Sequence, residues 1–296
     1  MPTDFHHDDQ HAHDHDGGLV GDRALLQRRT LLRVFGGGAV VAALAGCAER
    51  IARAGGPSST LTSLAAMTDS TATATPTAGT SGSTLATTCS TIPEEPAGPF
   101  PGDGSNGPNA LADDGVVRRN ITASFGSSTT VAAGVPLTVD LVLTDTTNDC
   151  APLAGAAVYL WHCDRDGRYS MYSEGATEEN YLRGVQEADD DGRLTFDSIF
   201  PAAYSGRWPH IHFEVYADLD RAITSGEPLV TSQIALPAAT CREVFATDGY
   251  EASVGNLAET SLEDDNVFSD DGGASQMPTV TGDVESGFVI GLPVGV

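Results

Sequence analysis

Short apolar runs with period-two alternation, each closed by a cluster of turn-forming residues, recur from residue 120 to residue 294. On a strand, successive side chains leave opposite faces, so such a run buries one face and suits a sheet rather than a helix. The runs are Asn120–Ala123, Leu137–Thr144, Ala156–Cys163, Arg193–Ile199, His210–Ala217, Leu229–Leu236 and Gly287–Val294. Between them stand Thr147-Asn148-Asp149, Asp164-Arg165-Asp166-Gly167 and Asp189-Asp190-Asp191-Gly192, all rich in residues that favour tight turns. Helical segments are expected only at Thr240–Ala246 and near Ser253–Glu259. Strands and turns at this spacing predict an all-β, antiparallel sandwich with short helices and long loops, running from Cys89 to Val296. There is no internal repeat, glycine-rich phosphate loop or Gly-x-Ser-x-Gly nucleophile elbow.

Hydrophobic residues make up 40% of the chain, enough for a core of that size. The 15 basic side chains face 41 acidic ones, a formal net charge of −26. Such a charge repels nucleic acid and anionic membrane surfaces and excludes both as partners.

The residues before the domain read as an address. Arg28-Arg29-Thr30-Leu31-Leu32 precedes an apolar, glycine-punctuated run from Val34 to Ala45. That run is shorter than the ~20 residues a bilayer span needs. A basic pair, a short apolar stretch and small residues before a cleavage point make a signal peptide over residues 1–46. Leu44-Ala45-Gly46-Cys47 resembles a bacterial lipobox, so Cys47 is expected to carry a lipid anchor at the cell surface. The arginine pair points to export of a prefolded protein, with the general secretory route as the alternative. The upstream His/Asp tract, His6 to Asp16, holds five of the eight histidines and is read as a discarded leader. Residues 47–88, mostly Ser, Thr, Ala, Gly and Pro, form a flexible tether. With Cys47 assigned to the anchor, Cys89, Cys150, Cys163 and Cys241 remain. Their spacing fits no zinc pattern, and in an exported domain they predict two disulfides of unassigned pairing.

Three histidines stay in the mature chain: His162, His210 and His212. His210 and His212 lie two apart in an alternating segment, so their imidazoles leave the same strand face. By itself His-x-His is a modest signal. Tyr204 and Arg207 stand just upstream, and Tyr169 follows the glycine turn after the strand Ala156–Cys163. A free tyrosine ionises near pH 10 and is a poor ligand at neutral pH. A trivalent cation reverses this by stabilising the phenolate. Two phenols with two neutral imidazoles therefore suit iron(III) better than zinc or iron(II). A rival reading places His210, His212 and Glu214 on one face as a two-histidine, one-carboxylate site. A tethered surface sandwich that binds without chemistry is a third.

The segment Val158-Tyr-Leu-Trp-His-Cys-Asp-Arg-Asp-Gly-Arg-Tyr169 resembles the signature of intradiol ring-cleavage dioxygenases. Tyr181-Leu-Arg-Gly-Val-Gln186, Asp191-Gly192, Phe200-Pro-Ala-Ala-Tyr204 and Arg207-Trp-Pro-His210-Ile-His212 continue the resemblance in order. Pro93-Glu-Glu-Pro-Ala-Gly-Pro-Phe100 is similar to the family's entry segment, and Thr231-Ser-Gln233 to its glutamine-bearing strand. The resemblance implies Tyr169 and His210 as equatorial and Tyr204 and His212 as axial ligands of iron(III). Arg207 and Gln233 would face the substrate ring, and Tyr204 would give way to the incoming diol. It further implies an oxygen-dependent cleavage of an aromatic 1,2-diol to a muconate-type dicarboxylate. Catechol, protocatechuate, hydroxyquinol and lignin-derived relatives all fit that chemistry. One departure stands out: Pro201-Ala202-Ala203 replaces the family's proline-glycine before the second tyrosine. The short Tyr204-to-His210 spacing resembles the exported branch of the family.

Other residues have plainer readings. His162 is expected to pack rather than ligate, and Tyr172 and Tyr181 could line a pocket mouth or the core. The acidic run Glu263-Asp264-Asp265 is expected to be a solvated face.

Overall fold

The structure, a computed structural model, describes residues 90–296. The arginine pair, the apolar run, Cys47, the tether and Cys89 lie outside the described residues.

Two sheets stack face to face. One joins β1 (Pro136–Asp145), β2 (Ala151–Pro152), β5 (Arg193–Ile199), β8 (Thr279–Asp283) and β9 (Gly287–Gly295). The other runs β4-β3-β6-β7, with β3 at Ala157–Trp161, β4 at Arg183–Glu187, β6 at His210–Tyr216 and β7 at Val230–Ala235. The second sheet is antiparallel throughout. The first is mixed, because β9 pairs with β1 in parallel, Leu137 opposite Phe288. The expected sandwich is present, and this one pair departs from its antiparallel order. The chain returns to β1 only after crossing the second sheet, so direction is set by a long connection rather than by a hairpin.

Alternation sorts the side chains. Val158, Leu160, Ile211, Phe213, Val215 and Ile234 face inward against Val139, Leu141, Phe196, Ile290 and Leu292. Each fully buried side chain of this kind contributes roughly 1.5–3 kcal/mol. The opposite face of β3 and β6 is also covered, so every residue of both strands is buried. Tyr159 and Trp161 on that outer face pack with Leu111, Val116 and Tyr169 from the loops. The candidate site residues lie here, under loops rather than between the sheets.

Most expected strands are present, and helices form at α2 (Ala238–Phe245) and α3 (Glu251–Ala258), with α1 (Leu219–Ile223) earlier in the chain. Asn120–Ala123 makes only isolated bridges, Asn120 to Asp197 and Ala123 to Val131. The edge of β7 is covered by the segment 93–96. Its Glu95 N–H donates to Thr231 O (2.8 Å), and Ser232 Oγ and Gln233 Nε2 donate to Pro93 O and Pro96 O. The prolines lack N–H groups and cannot complete a ladder with β7, and side chains of β7 bind their carbonyls instead.

The cysteines differ from expectation. Cys150 is in a disulfide, while Cys163 and Cys241 are free and buried. They sit in separate apolar clusters, and each thiol points at a backbone carbonyl, Ala202 O and Leu236 O. Burial pushes the Cys163 thiol up to about 12 and holds it protonated.

Candidate active site

The register of the second sheet sets a row across its outer face. Arg183 pairs with Trp161, Trp161 with His212, and His212 with Gln233. His210, one pleat repeat away, pairs with Ala235. The His212 ring lies flat on Trp161, with centroids 4.9 Å apart and planes at 5°. Its other side meets the backbone of Gly98, where a Cβ would sit 3.3 Å from His212 Cε1. Gly98 also has φ +77°, a left-handed conformation that glycine adopts without strain.

Tyr169 arrives on a turn built around Asp164. The Asp164 carboxylate accepts from the N–H groups of Asp166 and Arg168 (both 2.9 Å), from Arg168 Nε and from Tyr181 Oη (both 3.0 Å). Gly167, at φ +81°, leaves room for the neighbouring tyrosine, since a Cβ there would lie 3.2 Å from Tyr204 Cβ. Tyr204 follows Ala202 and Ala203, both buried. Ser253 Oγ and Asn256 Nδ2 of α3 bind the Ala203 N–H and C=O at 3.1 and 2.8 Å. The alanine pair thus keeps the tyrosine in place despite the departure from proline-glycine.

Four rings meet in this pocket. Tyr204 Oη lies 3.2 Å from His210 Nε2, which lies 3.0 Å from His212 Nε2. Tyr169 stands edge-on to Tyr204 and His212, with centroids 5.9 and 6.1 Å away. His210 Nδ1 faces Trp208 O, and a carbonyl can only accept, so Nδ1 carries the proton and Nε2 presents a lone pair. The buried Tyr169 Oη and His212 Nδ1 have no hydrogen-bond partner. Leaving a buried hydroxyl unpartnered costs about 1–3 kcal/mol. A cation among the four rings would engage that oxygen together with both Nε2 lone pairs. The donor set therefore fits a metal.

Burial dominates the electrostatics. It lowers His210 to about 3, with the Arg207 charge adding to the effect, and holds His212 well below its ordinary value, with His210 adding. Both imidazoles are neutral across the physiological range, as ligands must be. Burial raises Tyr204 to about 12 and Tyr169 well above its ordinary value, with Tyr204 adding to the latter. Neither phenol ionises at neutral pH without a cation beside it.

Arg207 NH2 donates to Gln233 Oε1 at 2.7 Å, so the two residues expected to face a substrate ring touch one another. Arg207 Nε also donates to Asp265 Oδ2 at 2.9 Å. Asp265 is buried, which corrects the expectation of a solvated acidic run. Its signal in sequence is the apolar pair Val267-Phe268 just after it, whose N–H groups its carboxylate accepts.

The two-histidine, one-carboxylate reading does not hold. Glu214 lies four residues from His210, about 13 Å along a strand. It accepts instead from Tyr216 Oη (2.6 Å) and Thr231 Oγ1 (3.3 Å). Among the described residues no three His, Cys, Asp or Glu side chains gather as a metal cage, so a metal in the four-ring pocket must draw on the phenols. His162 packs as expected, facing Cys163 O and Ser198 Oγ at 2.8 and 2.7 Å. Tyr172 accepts from Gly102 N–H and donates to Asn106, beside Phe100, whose ring lies 4.9 Å from that of Tyr169.

Known proteins share this arrangement of chain. A family model described as dioxygenase matches residues 120–226. An intradiol ring-cleavage dioxygenase from Tetranychus urticae superposes with a TM-score of 0.55 at 25% identity, over 70% of this chain and 94% of that one. In sequence and fold the described domain is similar to the intradiol ring-cleavage dioxygenases. Among curated relatives, a chlorocatechol 1,2-dioxygenase of Rhodococcus opacus is 30% identical over 105 residues, 27% of this chain and 41% of that protein. A 6-chlorohydroxyquinol 1,2-dioxygenase of Cupriavidus pinatubonensis is 36% identical over 87 residues, 23% of this chain and 31% of that protein. The chain thus spans less than half the length of these curated relatives.

Proposed function

We propose that this domain is a non-haem iron(III) dioxygenase that opens aromatic 1,2-diols between the two hydroxylated carbons. The observation that carries the reading is the meeting of two phenols and two neutral imidazoles in one buried pocket without a carboxylate. Tyr169, Tyr204, His210 and His212 would hold the metal. Bound iron(III) would supply the Lewis acidity that draws electron density from the diol ring and opens it to O2.

The residues around it handle charge and protons. As a metal ligand Tyr204 would be a phenolate, and it could take a proton from an incoming diol hydroxyl to become the neutral phenol that its burial favours. Arg207 lies close enough to depress both histidines, so its charge also reaches the space in front of them. Held against Gln233, it would stabilise negative charge developing on the ring, an effect of about 3 kcal/mol for a preorganised donor. Trp161 and Gly98 shield the His212 ring from water, and Phe100 covers Tyr169. The substrates we propose are catechol and its hydroxylated, chlorinated or lignin-derived relatives. We read the segment before the domain as an export signal with a lipid anchor at Cys47. Cys47→Ser would then release the protein from the membrane fraction.

The test is iron content, visible colour and oxygen uptake across a panel of diols, with the ring-opened dicarboxylate identified. Iron(III) bound by tyrosinate is expected to colour the protein wine-red. Tyr204→Phe is expected to weaken diol binding while some iron stays bound, and His212→Ala to abolish iron loading. A colourless protein without oxygen uptake, or full iron in His212→Ala, would overturn the assignment.

A further inference from the structure

The loop from Ser205 to Pro209 carries Arg207 into the site, yet it has no regular secondary structure to hold it. Its rigidity comes from one side chain 58 residues later. Asp265 is wholly buried and accepts five hydrogen bonds. Oδ2 receives Arg207 Nε at 2.9 Å and the Trp208 backbone N–H at 2.7 Å. Oδ1 receives Arg207 NH2 at 3.3 Å and the N–H groups of Val267 and Phe268 at 2.9 and 3.3 Å. The grip on the guanidinium is two-pronged, so it fixes the direction of the group as well as its position. It leaves the NH2 edge aimed at Gln233. The same carboxylate holds the Trp208 peptide, and the carbonyl of Trp208 faces His210 Nδ1. Trp208 is pinned at its other end by Nε1–H donating to Leu236 O at 2.9 Å.

We propose that Asp265 is the positioning residue of this site, one carboxylate that sets the aim of Arg207. It touches neither substrate nor metal and acts through that guanidinium. Asparagine in its place keeps the shape but turns one acceptor into a donor, which cannot receive Arg207 and the Trp208 N–H together. The guanidinium then swings away from Gln233. As an effect on rate, the inference rests on the proposed dioxygenase activity; as a statement about side-chain order, it does not.

Two measurements separate these. In Asp265→Asn, kcat and kcat/KM on a diol should fall together by about 100-fold, the loss typical of a displaced transition-state donor. In an Arg207→Gln background the same change should cost less than about 3-fold, because residues that act through one another are not additive. In the metal-free protein, nitrogen-15 NMR should show a slowly exchanging Arg207 Nε–H in the wild type that disappears in Asp265→Asn. If Asp265→Asn does not fold, Arg207→Gln/Asp265→Asn, which removes the buried charge with its partner, is compared with Arg207→Gln alone. An undiminished kcat, a loss that carries over in full to the Arg207→Gln background, or a persistent Nε–H signal would each overturn the proposal. A wild type inactive on every diol would instead refute the dioxygenase reading, and the NMR arm would still decide the role of Asp265.

Discussion

Replacing Arg183 by methionine should destabilise the domain by about 4 kcal/mol and empty the site. Arg183 is 1% exposed and points to the outer face of β4. It donates to Phe100 O (2.9 Å), Pro101 O (2.6 Å), Tyr159 Oη (3.1 Å), Ser170 Oγ (3.0 Å) and Ser170 O (3.0 Å). Among the described residues no carboxylate pairs with it, so its energy comes from dipoles. Without the guanidinium, Pro101 O keeps the Tyr159 hydroxyl at 2.7 Å, and Ser170 Oγ still donates to Tyr181 O. Phe100 O and Ser170 O lose their donors. Each stranded, buried carbonyl costs about 1–3 kcal/mol, so the pair costs roughly 2–6 kcal/mol. Methionine spares the desolvation of a cation, which keeps the estimate near the middle of that range. That is a large part of the 5–15 kcal/mol typical of a domain. The damage is also local, because Phe100 lies on Tyr169 and Ser170 follows it. Urea unfolding, followed by fluorescence and circular dichroism together, gives the stability change, and metal analysis gives the occupancy. A change below about 1 kcal/mol with full iron loading would refute the reasoning that carbonyl satisfaction by Arg183 holds these loops.

Three further outcomes follow from the same geometry. His162, lowered to about 4 by burial, is neutral in the fold but takes a proton at about 6.5 when unfolded. Its contribution is complete above pH 6.5 and is lost as pH falls toward 4, about 3 kcal/mol in all, and pH-dependent denaturation of His162→Gln against wild type should isolate it. Glu214→Gln should leave iron content and kcat within about 2-fold, since Glu214 bonds to Tyr216 and Thr231 rather than to the rings; a loss of metal would revive the carboxylate reading. Diols bearing a ring carboxylate should show kcat/KM at least ~10-fold below catechol, about 1.4 kcal/mol. Arg207 is taken by Asp265 and Gln233, Arg183 by carbonyls and Arg168 by Asp164 and Asp166, and the chain contains no lysine. Equal efficiency on protocatechuate would contradict this.

Much of the architecture is legible because alternation is a local signal. β6 reads from its own residues, and the pleat alone puts His210 and His212 on one face. β4 does not read as a strand, since Arg183-Gly-Val-Gln-Glu offers little alternation and its arginine is buried by loops remote in sequence. β9 reads as a strand, but its parallel pairing with β1 is a property of the connection. Tyr169 and Tyr204 are found through motif order, whereas their proximity depends on Gly167 packing on Tyr204. Asp265 is misread because sequence shows the charge of a residue but not the five donors that surround it. Free Cys163 and Cys241 escape for a similar reason: an even count of cysteines says nothing about whether two of them share a cluster.

The residues that sequence alone misplaces share a cause that bears on how the site works. The inner face of a sandwich is committed to the other sheet, so a pocket on the outer face must be roofed by loops. Loops bring backbone groups that no ladder satisfies. Here three buried ionic side chains take up that work. Asp164 receives the N–H groups of 166 and 168, Asp265 those of 208, 267 and 268, and Arg183 the carbonyls of 100, 101 and 170. Each charge sits next to one functional group: Asp164 shapes the turn that presents Tyr169, Asp265 holds Arg207, and Arg183 ties Phe100 to Ser170. A chain with few helices to cover its sheet can thus still hold a site rigidly. Loss of any one of these charges should disturb the residue beside it before it unfolds the domain, so their variants are better judged by metal content and by kcat than by melting temperature alone.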